Sequence, residues 1–201
     1  MDLVTPPSTG SNWTDLSGYG NHGTLVGTPT YVSTLGGGYT TGSGQYISTN
    51  YNVSNNFTIS IVAKLNASSF WATLWGNDSY SSNYGYLAYF LSSTGINIGP
   101  PSSSQYYAFT GVSTVHFYDF VFSGTSLTVY QDGVSLGTTT ISLPNALATG
   151  GLYFGARHNN AGTSYTDVCP GTYYNMRVYR RPLLASEISS IYNGMKATYG
   201  L

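Results

Sequence analysis

Only one stretch of this sequence has helical periodicity, and it lies at the end of the chain. Ile188, Ile191, Tyr192 and Met195 recur at i, i+3, i+4 and i+7, which puts them on one face of a short amphipathic helix. Arg177 to Arg181 before it reads as a strand, and Pro182 marks the turn between strand and helix. Everything upstream reads as β-structure. Phe57, Ile59, Ile61 and Ala63 alternate with Thr58, Ser60, Val62 and Lys64, the period of a strand with one face buried. The expectation is an all-β chain, an antiparallel β sandwich with one short C-terminal helix docked on it.

Composition narrows what such a sandwich can do. The chain has 201 residues, enough for one large sandwich with a sizeable core. Charged residues make up 6%, against roughly a quarter in ordinary soluble domains. Its surface must therefore be carried by Ser, Thr, Asn, Gly and some of the twenty tyrosines. A net charge of −1 without basic patches argues against nucleic-acid partners. Cys169 stands alone, so no internal disulfide is expected. The opening residues show neither the basic nor the apolar region of a signal peptide, and no apolar run nears the roughly 20 residues of a membrane span.

The expected layout is an extended N-terminal arm over residues 1–12, rich in Pro, Ser and Gly, and one domain over residues 13–201. Trp13 leads into Asp15-Leu16-Ser17-Gly18-Tyr19-Gly20-Asn21-His22-Gly23, a tight loop in which glycines permit positive φ and His22 bonds within the turn. Trp71 to Leu74, Gly85 to Leu91, Val115 to Phe122, Leu127 to Tyr130 and Leu152 to Gly155 read as further strands. Asp132-Gly133 signals a hairpin into Val134-Ser135-Leu136-Gly137. Gly76 to Tyr84, Gly99 to Tyr107 and Arg157 to Asp167 read as loops.

Three runs carry a resemblance to a known family. They are the glycine turn Asp15–Gly23, the hairpin Leu127–Gly137, and the ending from Arg177 through Glu187-Ile188 to Tyr199-Gly200-Leu201. Together they resemble the laminin G-like, concanavalin A-like lectin-glucanase superfamily, in family order along nearly the whole chain. The resemblance implies a jelly-roll sandwich with neighbouring termini and a non-enzymatic binding or structural role. It also resembles virion structural proteins of tailed phages and large DNA viruses. That implies a capsid decoration or adhesion module, made in the host cytoplasm and displayed on the virion surface. Implied partners are capsid or tail proteins, cell-surface glycans, and further copies of the chain. A free glycan-binding lectin is the alternative, and a glycoside hydrolase a third reading.

Hydrolysis of a glycosidic bond usually needs two carboxylates flanking it. Glucanases of this fold carry a compact E-x-D-x-x-E strand motif. This chain has a single glutamate, Glu187, placed at the start of the terminal helix, and Asp119 is the only acidic residue inside a central strand. Asp119 is expected to be a structural hydrogen-bonding group and the chain not to be an enzyme. No cofactor is required, but calcium is a candidate ligand, because hard cations take oxygen ligands. Asp78 with Asn77, and Asp167 with Asn159 and Asn160, are the candidate sites. For a glycan or protein ligand, the candidates are the aromatic loop residues Tyr80, Tyr84, Tyr106, Tyr107 and Tyr165 with Asn83 and Asn159. Tyrosine faces stack on sugars and Asn supplies directional hydrogen bonds. Trp13, Trp71 and Trp75 are expected to serve packing.

Overall fold

The computed structural model describes residues 1–66, 71–77, 85–147, 150–158 and 165–201. Strands are numbered along the chain. Two eight-stranded sheets face each other. In spatial order, sheet A runs β14 (Val134–Thr140), β13 (Ser126–Gln131), β12 (Val115–Ser123), β7 (Asn56–Leu65), β18 (Gly171–Tyr179), β5 (Gly38–Thr41) and β4 (Thr30–Val32). β1 (Asp2–Leu3) also pairs with β18, opposite Arg177 and Met176. Sheet B runs β11 (Gln105–Ala108), β10 (Gly95–Gly99), β9 (Leu87–Phe90), β8 (Thr73–Gly76), β15 (Tyr153–Phe154), β6 (Tyr46–Ser48), β3 (Gly23–Val26) and β2 (Asn12–Trp13). A small hairpin, β16 (Arg157–His158) with β17 (Tyr165–Thr166), stands apart. The single helix α1 spans Ala185–Tyr199.

The core between the sheets is aromatic. Phe57 and Phe122 stack at 4.4 Å, and Trp75 meets Phe57, Phe120 and Phe122 edge-on. Tyrosine, phenylalanine and tryptophan bury large areas with few rotamers, which lets a charge-poor chain build a dense interior. The hairpin at Asp132-Gly133 forms as expected. Both residues have positive φ, 52° and 74°, as a two-residue primed turn requires.

The first residues dock on the sandwich. Met1 and Leu3 are buried, and Leu3 packs where Gly23 has no side chain. Pro6 is also buried, and the Pro7 carbonyl accepts a bond from the Tyr39 hydroxyl. Asp2 and Leu3 pair with Arg177 and Met176, so the segment joins sheet A at β18.

The terminal helix docks with the expected face. Ile188 packs with Val121, Tyr130 and Leu183, while Met195 and Tyr199 pack on Val62, Phe117 and Tyr174. Ile191 and Tyr192 are only partly buried at the border of these clusters. The Glu187 carboxylate accepts the Leu184 N–H at 2.8 Å, capping the first turn although Leu184 offers no reciprocal oxygen. Gly200, left-handed at φ 68°, ends the helix. This docking changes how β7 reads. Thr58, Ser60 and Val62 point away from the inter-sheet core yet are buried, because the helix and the turn leading to it cover them; only Lys64 emerges.

Candidate functional site

Asp119 lies on this covered face. It is fully buried, and its Oδ1 accepts the Ser60 hydroxyl at 2.5 Å. Burial pushes its pKa well above the ordinary carboxylate value, and the Ser60 bond offsets this only in part. Oδ2 has no hydrogen-bond partner among the described residues. No substrate can reach a group sealed between a helix and a sheet, and Ser60, not a second carboxylate, is its hydrogen-bonding neighbour.

Among the described residues, no helix covers the outer face of sheet B. There β9, β10 and β11 place Tyr89, Asn97 and Tyr106 side by side through the pairs Asn97–Tyr89 and Asn97–Tyr106. Asn97 Nδ2 donates to the Tyr89 hydroxyl at 3.2 Å and to Ser104 Oγ at 3.4 Å, and Tyr89 and Ser104 lie 3.2 Å apart. Trp71 stacks on the Tyr89 ring at 4.9 Å and 20°. Its φ of 71° is unusual for a bulky residue and strained. The Trp71 N–H donates to Phe90 O and its carbonyl accepts the Thr73 hydroxyl, so both sides of the strained residue are tied to the sheet. Tyr106 is 59% exposed. Its ring lies across Gly95, where a Cβ would overlap it. Tyr89 is itself only 3% exposed, so the open part of this surface is the Tyr106 ring with the partly exposed Trp71, Asn97 and Ser104 around it.

Further along sheet B opens a groove of about 630 Å³ between the glycine turn and β3 and β6, lined by Asn12, His22, Thr24, Ser48, Asn50 and Asn52. Among the described residues, no carboxylate, lysine or arginine lines it. Such walls hydrogen-bond neutral hydroxyls and offer no counter-charge to an ion.

The expected site residues fall differently. Tyr106 and Tyr107 were both expected on a loop, but Gln105–Ala108 is a strand, so neighbours point to opposite faces. Tyr107 is therefore a core residue, its hydroxyl bonded to Leu127 O and Thr139 Oγ1, and it cannot meet a ligand. Tyr165 sits in β17 opposite His158. Tyr80, Asn83, Tyr84, Asn159 and Asp78 lie outside the described residues. Asn77 is buried, with Oδ1 accepting the Tyr86 N–H. Asp167 is paired with Arg157, so a cation there would have to displace a guanidinium. Among the described residues, no three His, Cys, Asp or Glu side chains come together to hold a metal, and no helix is long and apolar enough to cross a membrane. Trp13 and Trp75 are buried as expected. Trp71 was not foreseen as a surface ring, since nothing in its sequence neighbourhood announces a left-handed backbone.

Comparison with known proteins agrees with this architecture. Among curated proteins, none matches the sequence. Solved structures do match in shape. One concerns cell entry of botulinum neurotoxin type C through two ganglioside molecules, with TM-score 0.72, 12% identity, and coverage of 96% of this chain and 51% of that one. The binding domain of botulinum neurotoxin DC in complex with SialylT gives TM-score 0.72, 14% identity, 96% and 51%. The binding domain of Paraclostridial Mosquitocidal Protein 1 gives TM-score 0.70, 13% identity, 96% and 52%. At such identities the likeness is one of fold, and this chain spans about half the length of those chains. Residues 40–189 match the sequence pattern of one family, and the chain accordingly belongs to the Concanavalin A-like lectin/glucanases superfamily.

Proposed function

We propose that this chain is a non-enzymatic recognition module that lays a neutral glycan on the outer face of sheet B. The observation that carries the reading is Trp71, held in a strained left-handed conformation and stacked flat on Tyr89, whose hydroxyl joins Asn97 and Ser104. Backbone strain persists where surrounding structure over-determines it, and ligand clamps are one such place. The Tyr106 and Trp71 rings take the apolar face of a sugar ring, and the Asn97 amide and Ser104 hydroxyl, positioned by buried Tyr89, take its polar edge. Family membership and structural neighbours named for ganglioside, SialylT and synaptotagmin II support a recognition role; the neutrality of the ligand rests on the uncharged lining of this face. The burial of Asp119 and its lack of a carboxylate partner support the absence of hydrolysis.

On this reading the module is one part of a larger particle, a virion surface on which it decorates the capsid or adheres to cell-surface glycans. Its 6% charged residues support packing among neighbours with little repulsion. No cofactor is required; calcium is proposed only as a ligand at Asp78 or, in competition with Arg157, at Asp167.

A neutral-glycan array tests the reading. The wild-type protein should give reproducible saccharide hits, and Tyr106→Ala and Trp71→Ala should each weaken them about tenfold, the equivalent of ~1.4 kcal/mol per ring. Unchanged binding in both variants, or release of reducing sugar by the wild type, sinks the proposal.

A further inference from the structure

A second cleft, of about 500 Å³, lies between the glycine turn and the end of β18, and it is lined in part by Ser17, Tyr19, Arg177, Tyr179, Arg180 and Arg181. The whole chain has six lysines and arginines, so half of its cationic side chains meet here. Two of the three are neutralised. Arg177 pairs with Asp2 at 3.0 Å, and Arg181 forks onto Glu187 at 2.6 and 2.7 Å. Arg180 forms no ion pair among the described residues. Its guanidinium lies instead over two rings, 5.0 Å from the centroid of Tyr19 and 5.7 Å from that of Tyr51. The Tyr51 hydroxyl also engages one Arg180 N–H, but ring faces leave most of the planar fork of donors without a partner group among the described residues.

The opposite wall is pre-formed. Asp15 Oδ1 accepts the backbone N–H groups of Asp2 at 2.7 Å and Ser17 at 3.0 Å, and Oδ2 accepts that of Asn21 at 2.9 Å. His22 Nδ1 accepts the Asp15 N–H at 3.0 Å, so the turn is tied at both ends. Tyr19 projects from this fixed turn and is 70% exposed. An exposed tyrosine ring on a rigid turn, beside a guanidinium lacking a counter-ion, matches a sugar ring that bears a single negative charge. A dianion fits less well, because Asp2 lines the same wall and Arg181 is already claimed by Glu187.

We propose that this cleft binds a carboxylate-bearing sugar, its carboxylate on the Arg180 fork and its ring against Tyr19. The site is separate from the neutral surface of sheet B and does not depend on it. Titration by NMR with 3′-sialyllactose, lactose, glucuronyl-lactose and a sulfated lactose tests it. The wild-type protein should bind at least one of the two carboxylate sugars about tenfold tighter than lactose, and which of them it prefers names the acid. Arg180→Gln should reduce that affinity to the lactose level, and Arg180→Lys should restore only part of it, because an ammonium lacks the planar fork. Tyr106→Ala should leave the acidic-sugar shifts unchanged, which separates this site from the one on sheet B. The proposal is overturned by equal binding of all four sugars, by preference for the sulfated one, or by an Arg180→Gln protein that melts normally and still binds the acidic sugar.

Discussion

The two sheets turn unlike faces outward. On sheet A the outer positions Thr58, Ser60, Val62, Phe117, Asp119 and Val121 are all buried, with helix α1 lying over this side of the sheet. On sheet B the outer positions Tyr106 and Asn97 remain open, backed by Tyr89 and Trp71. Strand alternation separates two faces but does not say which outer face will be covered. On the covered face, burial raises the Asp119 pKa and so favours its protonated form. The open face, in a chain with 6% charged residues, is wetted by hydroxyls and amides around aromatic rings. Such a face is soluble without charge and is therefore free to meet an uncharged ligand.

The contrast can be broken most directly by truncation. Ile188→Ala should destabilise the protein by about 2–4 kcal/mol, because its side chain is fully enclosed under the helix, whereas Tyr106→Ala should stay within about 0.5 kcal/mol. Urea denaturation of both variants checks this, and equal losses would mean that the two faces are equally structural.

Acid and base sharpen it next. Asp119 has a raised folded pKa, so the stability tied to its proton is fully present below the ordinary value of 3.8 and is lost as pH rises above it. One proton sets a ceiling of about 1.4 kcal/mol per pH unit on that slope. Asp15, in the open glycine turn, behaves in reverse. Burial works against its charge, but hydrogen bonds from the Ser17 side chain and from the backbone of Ser17, Asp2 and Asn21 prevail and hold its pKa at about 2. Its contribution is present above 3.8 and is lost as pH falls towards 2. Melting curves should therefore show a neutral-side slope that Asp119→Asn removes and an acid-side slope that Asp15→Asn removes. A wild-type curve flat from pH 4 to 7 would place Asp119 in contact with water.

The smallest effect should come from Gly95→Ala. The new Cβ must push the Tyr106 ring off the sheet, so neutral-glycan affinity should drop a few-fold with stability altered by less than about 1 kcal/mol. Unchanged affinity would show that the flat pose of the ring is unimportant.

Much of the fold was legible because it rests on short-range rules. The i, i+3, i+4 spacing from Ile188 to Met195 foretold a docked helix, although Ile188 and Met195, rather than Ile191, carry the burial. Asp132-Gly133 foretold the hairpin. The site was less legible, for three physical reasons. Tyr106 and Tyr107 share a composition that suggests a loop, but a strand sends them to opposite faces. Trp71 owes its exposure to a backbone conformation with no signature in neighbouring residues. Arg180 differs from Arg177 and Arg181 only in lacking an acidic partner, and those partners, Asp2 and Glu187, are identified only by the folded arrangement.

β18 has a consequence for how this protein comes into being. It is the last strand of the chain, yet it lies inside sheet A: β7 pairs along one side of it, and β5 and β1 share the other. The partners Asp2 and Arg177 lie 175 residues apart in sequence. A ribosome adding roughly 5–20 residues per second leaves the early strands waiting on the order of ten seconds for their central neighbour. Until then β1, β5 and β7 present unpaired edges, the form of a nascent chain most prone to stick to others. Sheet A closes last and through its most distant contacts, so high contact order should make folding slow. Fragments ending before Gly171 should collect as aggregates, not as partly working modules.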